Sequence, residues 1–174
     1  MILATLTLNE YLDTAASSNP TPGGGAIAAI TGASAVALVE MLANLTIGKA
    51  GYEDVQEEML KISKRLPNLR RRLLSLADAD AAAFDDFMVA LRLPKETEEE
   101  TAYRKEQIQI CYKKAADVPF EIGEVAFQLF KDAETVIRYG NTNATTDGMI
   151  GVINARAAVK AAFLNVKINL RGIK

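Results

Sequence analysis

The stretch Met59-Leu-Lys-Ile-Ser-Lys-Arg-Leu-Pro-Asn-Leu-Arg-Arg-Arg-Leu-Leu-Ser-Leu76 decides the fold class. Its apolar residues Met59, Ile62, Leu66, Leu69, Leu73 and Leu76 are spaced 3, 4, 3, 4 and 3. That rhythm places them on one stripe of a helix, a seam for packing against other helices. Pro67 lies inside the seam. It has no N–H to give and its ring crowds the preceding turn, so a kink or a split near residue 66 is expected.

Working outward, the amphipathic stretch runs from Tyr52 to Arg92. Upstream, Thr7 and Glu10 form a capping-box pair that opens a short helix through Ala16. Ser17 to Gly25 is a loop of breakers, and a small-residue helix follows from Ala26 to Ile47, with Gly48 and Gly51 as its stop. That apolar helix carries Glu40 and Asn44, which favours a buried central helix over a membrane span. Downstream, Thr97 and Glu100 open a helix that reaches Arg138, with a kink or break expected at Pro119. Tyr139 to Thr146 is a loop, and a last helix runs from Asp147 to Leu170. No segment alternates as a strand does. The fold class is all-α, an antiparallel helical bundle with long amphipathic helices in one domain, residues 1–174.

Composition narrows the chemistry. The 174 residues are 49% hydrophobic and 24% charged, which is globular. The net charge of −2 argues against nucleic acid as a partner. Histidine is absent from the sequence, so Ser-His and Cys-His nucleophiles and His-ligated zinc are excluded. A single cysteine, Cys111, suits a reducing compartment, the cytoplasm, and reads as a packed small residue. The N-terminus lacks the basic start of a signal peptide.

Acid–base work then falls to Asp, Glu, Lys, Tyr or water. Continuing the seam past Leu76 brings up Asp80, Ala83 and Phe87. Asp80 falls at the centre of the apolar stripe, beside Leu76, Phe84 and Phe87. A carboxylate there is costly unless it is paired or hydrogen-bonded, so Asp80 either lines a polar cavity or meets a cation. Asp78, Asp85 and Asp86 read as a solvated face.

Three further features are weaker. The loop Pro20 to Gly25 enters a helix, whose free N–H groups can hold an anion, although a plain turn explains it too. The loop from Asn141 to Thr146 either caps the next helix through Thr145 or Thr146, with Asp147 on the dipole, or aims a carboxylate at a cleft. The stripe Asn154, Ala158, Ala162, Asn165 and Asn169 reads as a packing or dimer seam before a ligand wall.

Taken in order, five stretches resemble the cyclodeaminase/cyclohydrolase family of tetrahydrofolate enzymes. They are Tyr11 to Gly25, Leu42 to Lys49, Leu76 to Asp85 with Leu93-Pro-Lys95, Asn143 to Asp147, and Ala162 to Leu170. The resemblance runs from Leu8 to Lys174. It implies an all-helical homodimer with folate in a cleft at the subunit contact, and no metal or tightly bound cofactor. The family also continues into an acidic helix past Lys174.

The implied reaction is cyclodeamination of 5-formimidoyltetrahydrofolate or hydrolysis of 5,10-methenyltetrahydrofolate. The alternative is an inactive folate-binding module of the same fold. On the resemblance, Asp80 or Asp147 moves the proton. Asn44 and Asn143 hold the pterin amide or the water. The loop Pro22, Gly23, Gly24 and Gly25, with Lys49 and Lys95, holds the carboxylates of the glutamate tail.

Overall fold

A computed structural model describes residues 2–173. Five α-helices account for most of the chain: α1 (Leu8–Ala16), α2 (Gly24–Asn44), α3 (Gln56–Leu91), α4 (Glu98–Tyr139) and α5 (Thr145–Leu170). Three short 3-10 turns, Leu3–Thr5, Glu53–Val55 and Thr142–Ala144, fill connections. No strand occurs among the described residues.

Both expected capping boxes form. Thr7 and Thr97 each accept the backbone N–H three residues on, and Glu10 and Glu100 return the favour to the cap N–H. These pairs satisfy N–H groups that a helix start leaves without a partner.

The bundle is organised around α2, which packs on α3, α4 and α5. Its alanines and glycines permit that close approach from three sides. Leu73 of α3 sits in the notch at Gly32, where an added Cβ would meet its methyl groups at 3.2 and 3.3 Å. Gly151 of α5 leaves room for Val39 and for the Ala35 carbonyl in the same way. The α3 seam is buried as its spacing requires, from Met59 to Leu76. By length and composition α2 and the stretch Thr142–Leu170 are long and apolar enough to cross a membrane. In the bundle most of α2 is enclosed by the other helices.

The prolines do not divide their helices. α3 is continuous through Pro67 and α4 through Pro119. An internal proline costs about 3 kcal/mol. Burying Leu66 and Leu69, 0% and 9% exposed, on either side of Pro67 offsets that cost, because each such side chain contributes about 1.5–3 kcal/mol. Pro119 is itself buried in the core.

Boundaries shift elsewhere. α2 begins at Gly24 and ends at Asn44, so Leu45 to Gly48 is a turn, and α3 begins at Gln56 after the Glu53–Val55 turn. Gly48 and Gly51 both adopt positive φ, +73° and +86°. Neither Thr145 nor Thr146 caps α5. Ala144 is the cap residue, because the Thr142–Ala144 turn runs directly into the helix and Asn141 caps that turn instead.

Asp78 is not part of a solvated face. Its carboxylate accepts the Leu3 N–H at 2.5 Å and ties the N-terminal turn to α3. Asp86 pairs with Lys114 at 2.5 Å, and Asp85 is exposed.

Leu73→Ala removes a fully buried side chain from the α2–α3 contact and should cost about 2–5 kcal/mol. Urea denaturation followed by helical circular dichroism measures it. A loss under 1 kcal/mol would mean that the notch at Gly32 does not hold the two helices together.

Candidate active site

The N-terminus of α2, the second half of α3, the middle of α4 and the last turns of α5 enclose a cavity of about 270 Å³. Pro20, Thr21 and Gly23 to Gly25 form one wall and Asp80, Phe84 and Phe87 of α3 a second. Tyr112 and Ala115 of α4 close it with Asn165, Ile168 and Asn169 of α5. Phe87 and Tyr112 pack ring to ring, centroids 4.8 Å apart.

Asp80 is half-buried here and meets no cation in an ion pair among the described residues. Its Oδ2 accepts the Ala26 N–H at 3.0 Å. That N–H is one of the free donors at the start of α2, where the helix dipole favours negative charge. The carboxylate reaches it only because residue 25 is glycine, since a Cβ there would overlap the Asp80 carboxyl group.

Two effects oppose each other on this acid. Burial raises its pKa above the ordinary value of 3.8, and the Ala26 hydrogen bond lowers it by a smaller amount. Tyr11 packs nearby, its hydroxyl buried without a hydrogen-bond partner among the described residues. Burial, and then the charge of Asp80, push that phenol up to about 12.

The other candidate residues lie elsewhere. Pro22 is buried and does not line the cavity. Asn44, Lys49, Asn143 and Asp147 sit at or beyond the other end of α2, 20 residues from Gly24, which is about 30 Å along a helix. Asn44 Oδ1 accepts the Ser63 hydroxyl at 2.5 Å. Asn141 and Thr46 knit this end together, with the Asn141 N–H on Thr46 Oγ1 at 2.8 Å. Asp147 is half-buried in the first turn of α5, 18 residues and about 27 Å along that helix from Asn165. Lys95 is exposed in the α3–α4 connector, apart from both ends.

One subunit thus gathers Asp80 with the glycines and separates them from Asp147. The helix N-terminus that was expected to hold a tail carboxylate already holds Asp80.

Asn165 and Asn169 of α5, whose spacing favours a packing or dimer seam over a ligand wall, line the cavity. Tyr112 carried no signal, because α4 supplies it from the middle of a long helix.

This carboxylate-and-glycine arrangement can be set beside known proteins. The family model described as Formiminotransferase-cyclodeaminase matches residues 7–174. This chain belongs to that family. It is 42% identical over 167 residues to methenyltetrahydrofolate cyclohydrolase of Methylorubrum extorquens, covering 96% of this chain and 80% of that protein. It is 30% identical over 171 residues to formimidoyltransferase-cyclodeaminase of Gallus gallus, where it spans 98% of its own length and 32% of the relative's. The crystal structure of formiminotetrahydrofolate cyclodeaminase from Thermotoga maritima superposes with a TM-score of 0.86 at 36% identity. That match covers 98% of this chain and 81% of the other. The all-helical fold implied by the resemblance is the fold observed.

Gly25→Ala places a methyl group where the Asp80 carboxyl stands. It should expel the carboxylate from the helix N-terminus and cost about 1–3 kcal/mol by overpacking. Gly24→Ala, whose Cβ meets only the Asn165 amide at 3.4 Å or more, serves as the control. Equal thermal midpoints for the two variants would contradict the close approach at Gly25.

Proposed function

We propose that the Asp80 cavity binds the pterin end of a tetrahydrofolate derivative and that the chain acts on the one-carbon bridge between N5 and N10. The observation that carries this reading is an Asp held on a helix N-terminus, without a paired cation among the described residues, facing a cavity walled by aromatic rings. Membership of the formiminotransferase-cyclodeaminase family supports it. The cavity suits the bicyclic head and not the whole folate, since pockets for complete ligands run to about 300–1,000 Å³.

The first reaction is hydrolysis of 5,10-methenyltetrahydrofolate, favoured by the 42% identity to a cyclohydrolase. The substrate carries a delocalised cation over N5, the bridge carbon and N10. An ionised Asp80 stabilises that cation in a site of low dielectric. Water adds to the bridge carbon, one of its protons passes to solvent by way of a base, and the other ends on N5 as the carbon–N5 bond breaks. The product is 10-formyltetrahydrofolate. A carboxylic acid with a raised pKa suits the base, because it accepts a proton more readily than an ordinary Asp.

The second reaction is cyclodeamination, supported by the fold match to a cyclodeaminase. N10 attacks the carbon of the protonated formimidoyl group on N5, the N10 proton is transferred to the resulting amino nitrogen, and ammonia leaves as the bridged cation forms. That cation is the substrate of the first reaction and the product of the second, so one carboxylate serves both. Asp147, with Asn44, Asn143 and Lys49, stands too far from Asp80 to share its substrate within one subunit.

We also propose that two copies associate through α5. Ile153, Leu164 and Ile168 fall on one stripe of that helix, and the first two are 65% and 66% exposed. A dimer would cover this stripe and allow the Asp147 cluster of one copy to approach the Asp80 cavity of the other. Sedimentation should give twice the monomer mass, and Leu164→Glu should halve it; a native chain that sediments as a monomer would remove this proposal.

Asp80→Asn tests the catalytic reading. Loss of the near-ultraviolet absorbance of methenyltetrahydrofolate reports hydrolysis, and released ammonia reports cyclodeamination. The native chain should turn over at least one substrate, with an acid limb above pH 3.8. The variant should lose at least about a hundredfold in kcat. It should also be more stable at neutral pH. With its pKa raised in the fold, Asp80 binds its proton more tightly there than in the unfolded chain. Its presence therefore costs stability as pH rises from the ordinary carboxylate range through the raised value. The variant's advantage in thermal midpoint should vanish at low pH. A variant with native kcat would take Asp80 out of the mechanism.

A further inference from the structure

The asparagines of α5 form a polar wall of the cavity to which the reaction above gives no task. Asn165 and Asn169 stand one turn apart. Each commits one of its two amide N–H groups to the protein: Asn165 Nδ2 donates to the Ala161 carbonyl at 2.9 Å, and Asn169 Nδ2 to the Ala115 carbonyl at 2.5 Å. A carbonyl only accepts, so these bonds fix which end of each amide is nitrogen. Each side chain keeps a carbonyl oxygen that accepts no hydrogen bond among the described residues, beside one remaining N–H. The Asn165 amide lies beside Gly24, where a Cβ would stand 3.4 Å from its Nδ2 and 3.5 Å from its Oδ1. Two acceptors on a rigid wall match a ligand edge made of donors. A ligand that presented lone pairs there would leave both oxygens unpaired or repelled, which is how a buried polar wall rejects the wrong partner.

We propose that Asn165 and Asn169 are specificity-determining residues that read the donor edge of the pterin, its 2-amino group and the neighbouring ring N–H. This rests on the folate reading above and deepens it. A pterin carries those two donors side by side at one end of the ring, away from N5 and N10. Seating that edge on α5 fixes the ring in its plane. The bridge carbon is then presented to Asp80 on the facing wall, and Asp80 is kept for the reacting cation.

The test is a binding cycle. Tetrahydrofolate and its 2-desamino-2-methyl analogue are titrated against the native chain, Asn165→Leu, Asn169→Leu and Asp80→Asn, by calorimetry. The native chain should bind the analogue roughly ten- to a hundredfold more weakly. In at least one leucine variant that discrimination should shrink to about twofold, and in Asp80→Asn it should persist. Equal native affinity for the two ligands would overturn the proposal without any variant. So would discrimination that survives in both leucine variants, or that disappears only in Asp80→Asn, which would give the donor edge to the carboxylate. If tetrahydrofolate itself fails to bind the native chain, the folate reading falls as well, so the two failures are told apart.

Discussion

The hydrogen bond from the Ala26 N–H to the Asp80 carboxylate joins the two helices on which the site is built. It satisfies a donor that the start of α2 leaves open, and it gives a half-buried charge a partner that is not itself a charge. A cation in that place would fix the acid permanently as one member of an ion pair. A backbone dipole stabilises the negative charge and leaves its other oxygen without a hydrogen-bond partner among the described residues. The glycine at position 25 makes the approach possible, and the seam from Met59 to Leu76 aims α3 so that Asp80 arrives there.

Much of this was legible in the residues. The seam spacing marked Asp80 as the carboxylate on the wrong side of a helix, and the run of glycines marked a place of close backbone approach. That the two meet could not be read, because no sequence period reports which helix N-terminus lies over which seam. The prolines misled for a physical reason. Local cost was legible, but the burial of Leu66 and Leu69 that offsets it belongs to the tertiary structure. Thr145 and Thr146 misled similarly: Asn141, four residues before the first residue of α5, caps the intervening turn that runs into the helix. Asn165 and Asn169 looked like packing because their spacing fits packing equally well, and only the position of Ala115 on a neighbouring helix separates the two.

The second polar cluster frames the remaining question of assembly. Asn44, Asn143 and Asp147 carry family-like sequence and stand about 30 Å from Asp80 along α2. A chain of this size does not bend to bring them together, because α2 lies packed against α3, α4 and α5. The association proposed above, through the exposed apolar stripe on α5, would let two copies of one bundle bring unlike ends together.

The small-residue character of α2 has a consequence for how a ligand comes and goes. A helix gripped on three sides by alanine- and glycine-depth contacts cannot slide or tilt without opening the core, so the floor of the cavity is fixed. Whatever breathing admits the substrate and frees the product therefore falls to the opposite rim. There Phe87 and Tyr112 are only half-buried, and Tyr112 is overlain by the C-terminal turn at Gly172. The door of this site hangs on its aromatic side.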